Sequence, residues 1–257
     1  MSRAPRRAVL LAAGLAVALI VPTSVSASNS WGGYHWARTA NPFTLKLGDR
    51  LTDPWHSYLA TTSTDWSASS VLDTVIVPGT AVKKLCSAST GTVQVCNSKY
   101  GNSGWLGVAQ VWISGSHITK GTVKVNDTYF QTSTYNTDAW RNLVMCQEVG
   151  HTLGLDHQDT NFSNPNLQTC MDYTNDPSTN QHPNQHDFDE LGLIYGHLDS
   201  TATVGATTGS NGRADVPEVD GSWGRLVAVT SGGHEAVYSL DLGDGEQVIT
   251  YVLWADR

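Results

Sequence analysis

The chain has 257 residues, a net charge of −8 and 15% charged residues. That length is enough for one sizeable domain with a small addition. The acidic balance argues against a nucleic-acid partner, because proteins that bind nucleic acids carry a basic surface.

Residues 1–27 have the pattern of a secretory signal peptide. Arginines occupy positions 3, 6 and 7, an apolar run covers 8–21, and the small residues Val25-Ser26-Ala27 precede a predicted cleavage site. The apolar run is too short to cross a bilayer as a membrane anchor. We therefore expect a secreted, extracellular protein with no stable membrane association after cleavage.

The first half of the remaining chain predicts a sheet with one early helix. Asp53-Pro54 opens that helix, and Trp55, Leu59 and Trp66 fall on one face at helical spacing, as expected for a helix packed on a sheet. Residues 85–95 are expected to form a disulfide-closed hairpin or loop. Alternating apolar residues predict strands at 43–47, 71–77, 105–113 and 122–125.

The sequence CQEVGHTLGLDH at residues 146–157 carries the first chemical motif. As a helix it places Gln147 and His151 one turn apart on one face, with Glu148 beside them. Gly154 tolerates the left-handed conformation that ends helices, so the chain can turn there and bring His157 towards His151. Two imidazoles beside a carboxylate are the arrangement that a catalytic zinc ion requires.

The sequence Cys-Met-Asp-Tyr at residues 170–173 is the second motif. Together the two motifs resemble the metzincin zinc signature HExxHxxGxxH followed by a Met-turn, with Gln147 in place of the first histidine. The Met171-x-Tyr173 spacing is similar to that of the astacin and serralysin branches, and the closing helix resembles that of matrixins. The resemblance spans roughly residues 34–198; it is specific over 147–173 and loose elsewhere.

The resemblance implies a secreted zinc-dependent metalloendopeptidase of α+β class, with a twisted mixed sheet and three main helices. It implies that Gln147, His151 and His157 bind Zn²⁺, with Met171 beneath the metal. Glu148 is then the general base for a zinc-activated water, and Tyr173 stabilises the tetrahedral intermediate or contacts the metal. The strand at 105–113 is expected to pair with a protein or peptide substrate, and the enzyme to be a monomer.

Gln147 also motivates a second hypothesis, a degenerate metzincin that binds a partner without cutting it. A hydrolase of non-peptide substrates on the same scaffold is a third, because a fold does not fix a substrate. Calcium binding is possible as well, since Asp127, Asp156 and Asp159 are oxygen donors, although they form no recognised calcium loop.

Four cysteines, an even number in an exported chain, predict two disulfides with three possible connectivities. We predict Cys86–Cys96, which would close a short hairpin, and Cys146–Cys170. The resemblance favours the second pair, because each of its cysteines immediately precedes a zinc-site motif. A cysteine metal site is the alternative, but no Cys-x-x-Cys spacing supports it.

The C-terminal part of the predicted domain ends in a helix with apolar residues from Phe188 to Tyr195, preceded by a loop with His182 and His186. The resemblance allows those histidines to line a specificity pocket, although such residues are more often simply exposed. The predicted catalytic domain is 28–198, the Thr/Gly/Ser-rich linker 199–212 and a small β-rich extension 213–257.

The extension is too short to bury a core alone. Its predicted strands are 226–229, 236–242 and 248–254, with a hairpin turn at Asp244-Gly245. We expect it to pack as a small sheet on the main domain or to serve as a binding module. All motif residues precede it, so deleting 200–257 is expected to leave the metal site intact.

Overall fold

A computed structural model of the chain describes Met1 and residues 29–80, 84–159, 161–162, 164–207, 222–229 and 232–255. Apart from Met1, the predicted signal peptide lies outside these residues. Within them, no helix is both long enough and apolar enough to cross a membrane.

The described residues form a mixed sheet, three long helices and one short helix. The helices are α1 (Trp55–Trp66), α2 (Asp127–Phe130), α3 (Asp138–Thr152) and α4 (Gln185–Ile194), with a 3₁₀ turn at Pro177–Thr179. The strands are β1 (His35–Trp36), β2 (Phe43–Arg50), β3 (Leu72–Pro78), β4 (Thr92–Ser98), β5 (Trp105–Ser114), β6 (His117–Asn126), β7 (Arg225–Val229), β8 (Glu235–Gly243) and β9 (Glu246–Trp254). The predicted α+β class is confirmed.

The sheet order is β3-β2-β4-β6-β5-β9-β8-β7, with β1 beside the start of β6. Strands β3, β2, β4 and β6 are parallel, whereas β5 is antiparallel to both β6 and β9. The prediction of a hairpin or loop at 85–95 missed β4. Strand β4 lies inside the sheet with Gln94 and Asn97 buried, so its buried polar side chains obscured the apolar pattern of a central strand.

Helix α3 is buried between α1 and the sheet, and this packing fixes the orientation of its motif residues. Trp55, Leu59 and Trp66 of α1 are fully buried at the predicted helical spacing. The Trp66 indole Nε1 donates a hydrogen bond to the Cys146 carbonyl at 3.2 Å. Thr137 caps α3, since its side chain accepts a hydrogen bond from the backbone N–H of Trp140.

The C-terminal strands continue the main sheet. Strand β9 pairs with β5 from Trp105 to Ser114, and β8 and β7 follow as an antiparallel meander. Before them, the Thr203 and Gly205 backbone N–H groups donate 2.9 Å hydrogen bonds to Ala37 and Gly91. The start of the predicted linker thus lies against the main domain. The predicted boundaries at residues 198 and 212 stay predictions.

Both predicted disulfides are confirmed. Cys86 is bonded to Cys96 of β4, and Cys146 of α3 is bonded to Cys170. The second bond joins the helix that carries Glu148 and His151 to the turn that carries Met171.

Candidate metal centre

The end of α3 returns the chain as the sequence predicts. Gly154 has φ +96°, and a Cβ there would lie 2.3 Å from the Tyr34 carbonyl oxygen. Only glycine fits both the backbone conformation and the close approach. The turn brings His157 beside His151, with ring centroids 4.7 Å apart.

Both imidazoles are held in defined orientations. The Nδ1 of His151 lies 3.0 Å from the Leu155 carbonyl oxygen, which accepts its hydrogen and leaves Nε2 directed to the centre. The His157 ring stacks on Tyr173 at 4.0 Å, and its Nε2 lies 2.8 Å from the Gln147 side-chain nitrogen. A backbone carbonyl that fixes the imidazole tautomer is typical of metal-binding histidines.

Met171 packs under α3 next to the two histidines. A Cβ on Gly150 would lie 2.5 Å from the Met171 sulfur and 2.8 Å from the Trp66 ring. The glycine therefore makes room for the thioether directly beneath the helix face. That Met171 lies beneath a metal ion stays a prediction.

Glu235, the first residue of β8, enters the centre from the C-terminal strands. Its Oε1 lies 3.2 Å from Nε2 of His151, and its Oε2 lies 2.8 Å from Nε2 of His157. Only 1% of its surface is exposed. Tyr251 of β9 covers the other side, stacked on His151 at 4.1 Å with ring planes 4° apart.

Sequence analysis missed Glu235 and Tyr251. A single glutamate at the start of a strand has no local feature that marks it as a ligand. The expectation that deleting 200–257 leaves the metal site intact stays a prediction, and in this structure the deletion would remove a carboxylate in contact with both histidines.

Glu148 lies at the same centre, against β5. A Cβ on Gly107 would lie 2.3 Å from Glu148 Oε1, so glycine makes room for the carboxyl group. Burial raises the pKa of Glu148 well above its ordinary value, and the negative charge of Glu235 raises it further, while His157 opposes both. A raised pKa of this kind is typical of carboxyl groups that exchange protons in a catalytic site.

The charges of Glu235 and His157 stabilise each other. Burial disfavours the charged form of each, but their attraction dominates: it lowers the pKa of Glu235 to about 2 and, with Asp156, raises that of His157 to about 10. Burial, the charge of Glu235 and a hydrogen bond to it raise the pKa of Tyr173, so that its hydroxyl stays protonated.

The donor set fits a zinc ion. Ligand atoms of His151, His157 and Glu235 all lie within 4.8 Å of one another. The side-chain oxygen of Gln147 and Oε2 of Glu148 are buried without a hydrogen-bond partner. Two imidazoles and a carboxylate are a known ligand set of catalytic zinc. The unpartnered oxygens of Gln147 and Glu148 indicate that a cation or a water molecule belongs beside them.

The other predicted site residues, apart from Asp156, lie away from the two histidines. His182 is exposed and pairs with Asp65 at 2.7 Å. Asp127 accepts hydrogen bonds from Trp55 and Asn97, whereas Asp159 accepts hydrogen bonds from Asn161 and Asn164, and Asp156 lies beside His157. The described residues therefore provide no support for a shared calcium site at these aspartates.

Access to the centre along β5 is closed. Strand β6 pairs with one side of β5 and β9 with the other. The expectation that the 105–113 strand presents a free edge to substrate is therefore wrong for this conformation. Glu148, His151 and Glu235 are each 1% exposed, so no substrate backbone reaches them as the chain stands.

Comparisons with known proteins give structural matches only. No family model and no curated protein matches the chain. Two structures of myroilysin match at 14% identity and TM-score 0.37, covering 62% and 63% of this chain and 82% and 86% of theirs. High choriolytic enzyme 1, a hatching enzyme zinc-protease from Oryzias latipes, matches at 10% identity and TM-score 0.35, covering 63% of this chain and 94% of its own. Structural matches with TM-scores this low say nothing about activity. The matrixin-like part of the resemblance stays a prediction.

Proposed function

We propose that this protein is a secreted zinc-dependent endopeptidase whose catalytic centre is closed, in this conformation, by its own C-terminal strands. The observation that carries the proposal is the position of the Glu235 carboxylate, within 3.2 Å of the Nε2 atoms of both His151 and His157. These groups lie beside Glu148, which has the position and environment of a general base.

In the closed conformation, His151, His157 and Glu235 would hold the metal. Gln147 is the weaker candidate in this state, because a neutral amide oxygen suits zinc less well than imidazole or carboxylate. It is also the nearest replacement for Glu235, since its side chain already contacts His157. We therefore assign Gln147, His151 and His157 to the open state. A bound zinc ion polarises a scissile carbonyl and lowers the pKa of water to about 7.

Glu148 would accept the proton of the attacking water and deliver it to the leaving amine. Burial raises the pKa of Glu148, and a raised pKa eases the return of the proton from the carboxyl group to the leaving amine. The Tyr173 hydroxyl remains protonated and is hydrogen-bonded to Glu235, and its ring stacks on His157; once Glu235 leaves, this hydroxyl would donate a hydrogen bond to the developing oxyanion.

Catalysis requires displacement of the C-terminal strands. Strand β9 occupies the edge of β5 that a peptide would need for strand addition, and Glu235 occupies the space between the histidines. We therefore expect the intact chain to cleave protein substrates slowly, if its C-terminal strands stay paired.

The test releases those strands. A specific protease site is inserted between Thr207 and Ser222 in a chain with Glu235→Ala, which removes the carboxylate anchor. Casein cleavage is measured with zinc before and after cutting. We expect cutting to raise activity at least about tenfold, corresponding to about 1.4 kcal/mol in the equilibrium that opens the site. The same cut chain with Glu148→Gln should retain zinc and lose cleavage.

A non-catalytic metal-binding protein is the second candidate. Two observations favour it: Gln147 in place of a third histidine, and Glu235 filling the space in front of the other two. A cut chain that holds one zinc ion at the centre, and still leaves casein intact, would support this candidate and reject the peptidase.

A further inference from the structure

A second group of metal-binding side chains lies away from Glu148. We call it the Asp199 cluster; it consists of His35, His117, His197 and Asp199. His35 belongs to β1, His117 begins β6, and His197 and Asp199 follow α4. The cluster joins three segments that are far apart in sequence.

Three ligand atoms of the cluster converge, those of His35, His117 and Asp199, and His197 lies beside them. Asp199 Oδ1 lies 3.4 Å from His35 Nε2, 3.2 Å from His117 Nε2 and 3.8 Å from His197 Nε2. The Nε2 atoms of His35 and His197 are 3.2 Å apart. Ligands at about 2.0–2.1 Å from a tetrahedral zinc ion are separated by roughly 3.3–3.4 Å, so these spacings are close to those of a zinc site.

The outer partners also match a metal site. His35 Nδ1 lies 2.8 Å from the Gly33 carbonyl oxygen, which accepts its hydrogen and leaves Nε2 with a lone pair facing the cluster. The second oxygen of Asp199 accepts hydrogen bonds from the Arg38 guanidinium at 2.8 Å and from its backbone N–H at 3.1 Å. Such contacts fix the tautomer of a ligating histidine and the orientation of a ligating carboxylate.

The tautomer of His35 favours a cation in the cluster. With its Nδ1 hydrogen donated to Gly33, a neutral His35 directs a lone pair at the lone pairs of Asp199. A cation between these two largely buried side chains gives both lone pairs a partner, as buried polar groups require.

We propose that the Asp199 cluster binds a divalent transition-metal ion of the zinc type through His35, His117 and Asp199. Ligand atoms of these three residues lie within 4.8 Å of one another. A water molecule would complete a tetrahedral site, and His197 lies beside it, 3.2 Å from His35. The ion links β1 and β6 to the segment that leads from α4 towards the C-terminal strands.

The experiment counts zinc in the full-length chain. After removal of metal and titration with Zn²⁺ at micromolar concentration, bound zinc is measured by elemental analysis. His157→Ala disables the first centre in every sample, so only the second site is counted. We expect about one zinc ion per chain in this background and none after His117→Ala is added. His182→Ala is the matched control, because His182 is also a solvent-accessible histidine paired with an aspartate, Asp65.

Two further measurements keep the test decisive if a variant folds poorly. Asp199→Asn conserves side-chain size and should likewise abolish zinc binding in the His157→Ala background, with folding followed by circular dichroism. Cobalt in place of zinc should give the intense visible absorption of a tetrahedral site, and His117→Ala should remove it. Undiminished zinc in both His117→Ala and Asp199→Asn, or no zinc in the His157→Ala chain, would overturn the proposal. Neither result bears on casein cleavage at the first centre.

Discussion

Replacement of Glu235 by glutamine tests how strongly the C-terminal strands are anchored in the metal-free protein. The change conserves side-chain volume, so it removes the charge without opening a cavity. The lowered pKa of Glu235, about 2, and the raised pKa of His157, about 10, share the attraction between these two groups; His151 adds to the first shift and Asp156 to the second. At about 1.36 kcal/mol per pKa unit, either displacement corresponds to about 3–5 kcal/mol, and the interaction is counted once. Removing one partner of a buried ion pair costs a similar amount.

The sign of the pH dependence follows from the two directions. The raised pKa of His157 contributes stability that is fully present below about pH 6.5 and is lost as the pH rises through about 10. The lowered pKa of Glu235 contributes stability that is present above about pH 4.5 and is lost as the pH falls towards 2. The pair therefore stabilises the fold most between about pH 4.5 and 6.5.

Urea unfolding in EDTA at pH 6 and pH 9 measures the effect. Glu235→Gln should lower the free energy of unfolding by about 3–5 kcal/mol at pH 6 and by about 1–2 kcal/mol at pH 9, where the parent itself has lost most of the interaction. Asp244→Asn, in the exposed turn of the same hairpin, is the control and should change it by less than about 0.5 kcal/mol. Equal losses at both pH values, or no loss at pH 6, would refute the assignment of this stability to the Glu235–His157 pair.

Three other predictions concern the first centre and its support. Gln147→His should tighten zinc binding at least about tenfold, measured by competition with a chelator; unchanged affinity would mean that Gln147 or Glu235 already serves as well. Replacing Cys146 and Cys170 by serine removes a cross-link between residues 24 positions apart in the sequence, and it should lower the free energy of unfolding by about 3.5 kcal/mol. A loss below about 1 kcal/mol in urea unfolding would contradict this. Gly154→Ala puts a side chain at a positive-φ position against Tyr34, so it should lower the free energy of unfolding by about 1–3 kcal/mol or more and weaken zinc binding. An unchanged free energy of unfolding would show that the turn relaxes freely.

The motif on α3 was predictable because its geometry is local. Helical spacing alone places Gln147, Glu148 and His151 on adjacent positions of one face, and Gly154 marks the reversal that returns His157. The same locality explains why the C-terminal strands matched their predicted positions, since alternating apolar residues and an Asp244-Gly245 turn specify a hairpin without reference to the rest of the chain.

The tertiary structure decided where that hairpin goes. Pairing of β9 with β5 joins segments more than a hundred residues apart, and no local pattern names the partner of a strand. That pairing carries Glu235 between His151 and His157, and it covers the edge that sequence analysis left for substrate. The sequence by itself determined a helix and a following turn that together present two imidazoles and a carboxyl group. Only the long-range pairing decided which carboxylate meets the imidazoles, because a ligand carried on a distant strand is positioned by the sheet and not by its neighbours in the chain.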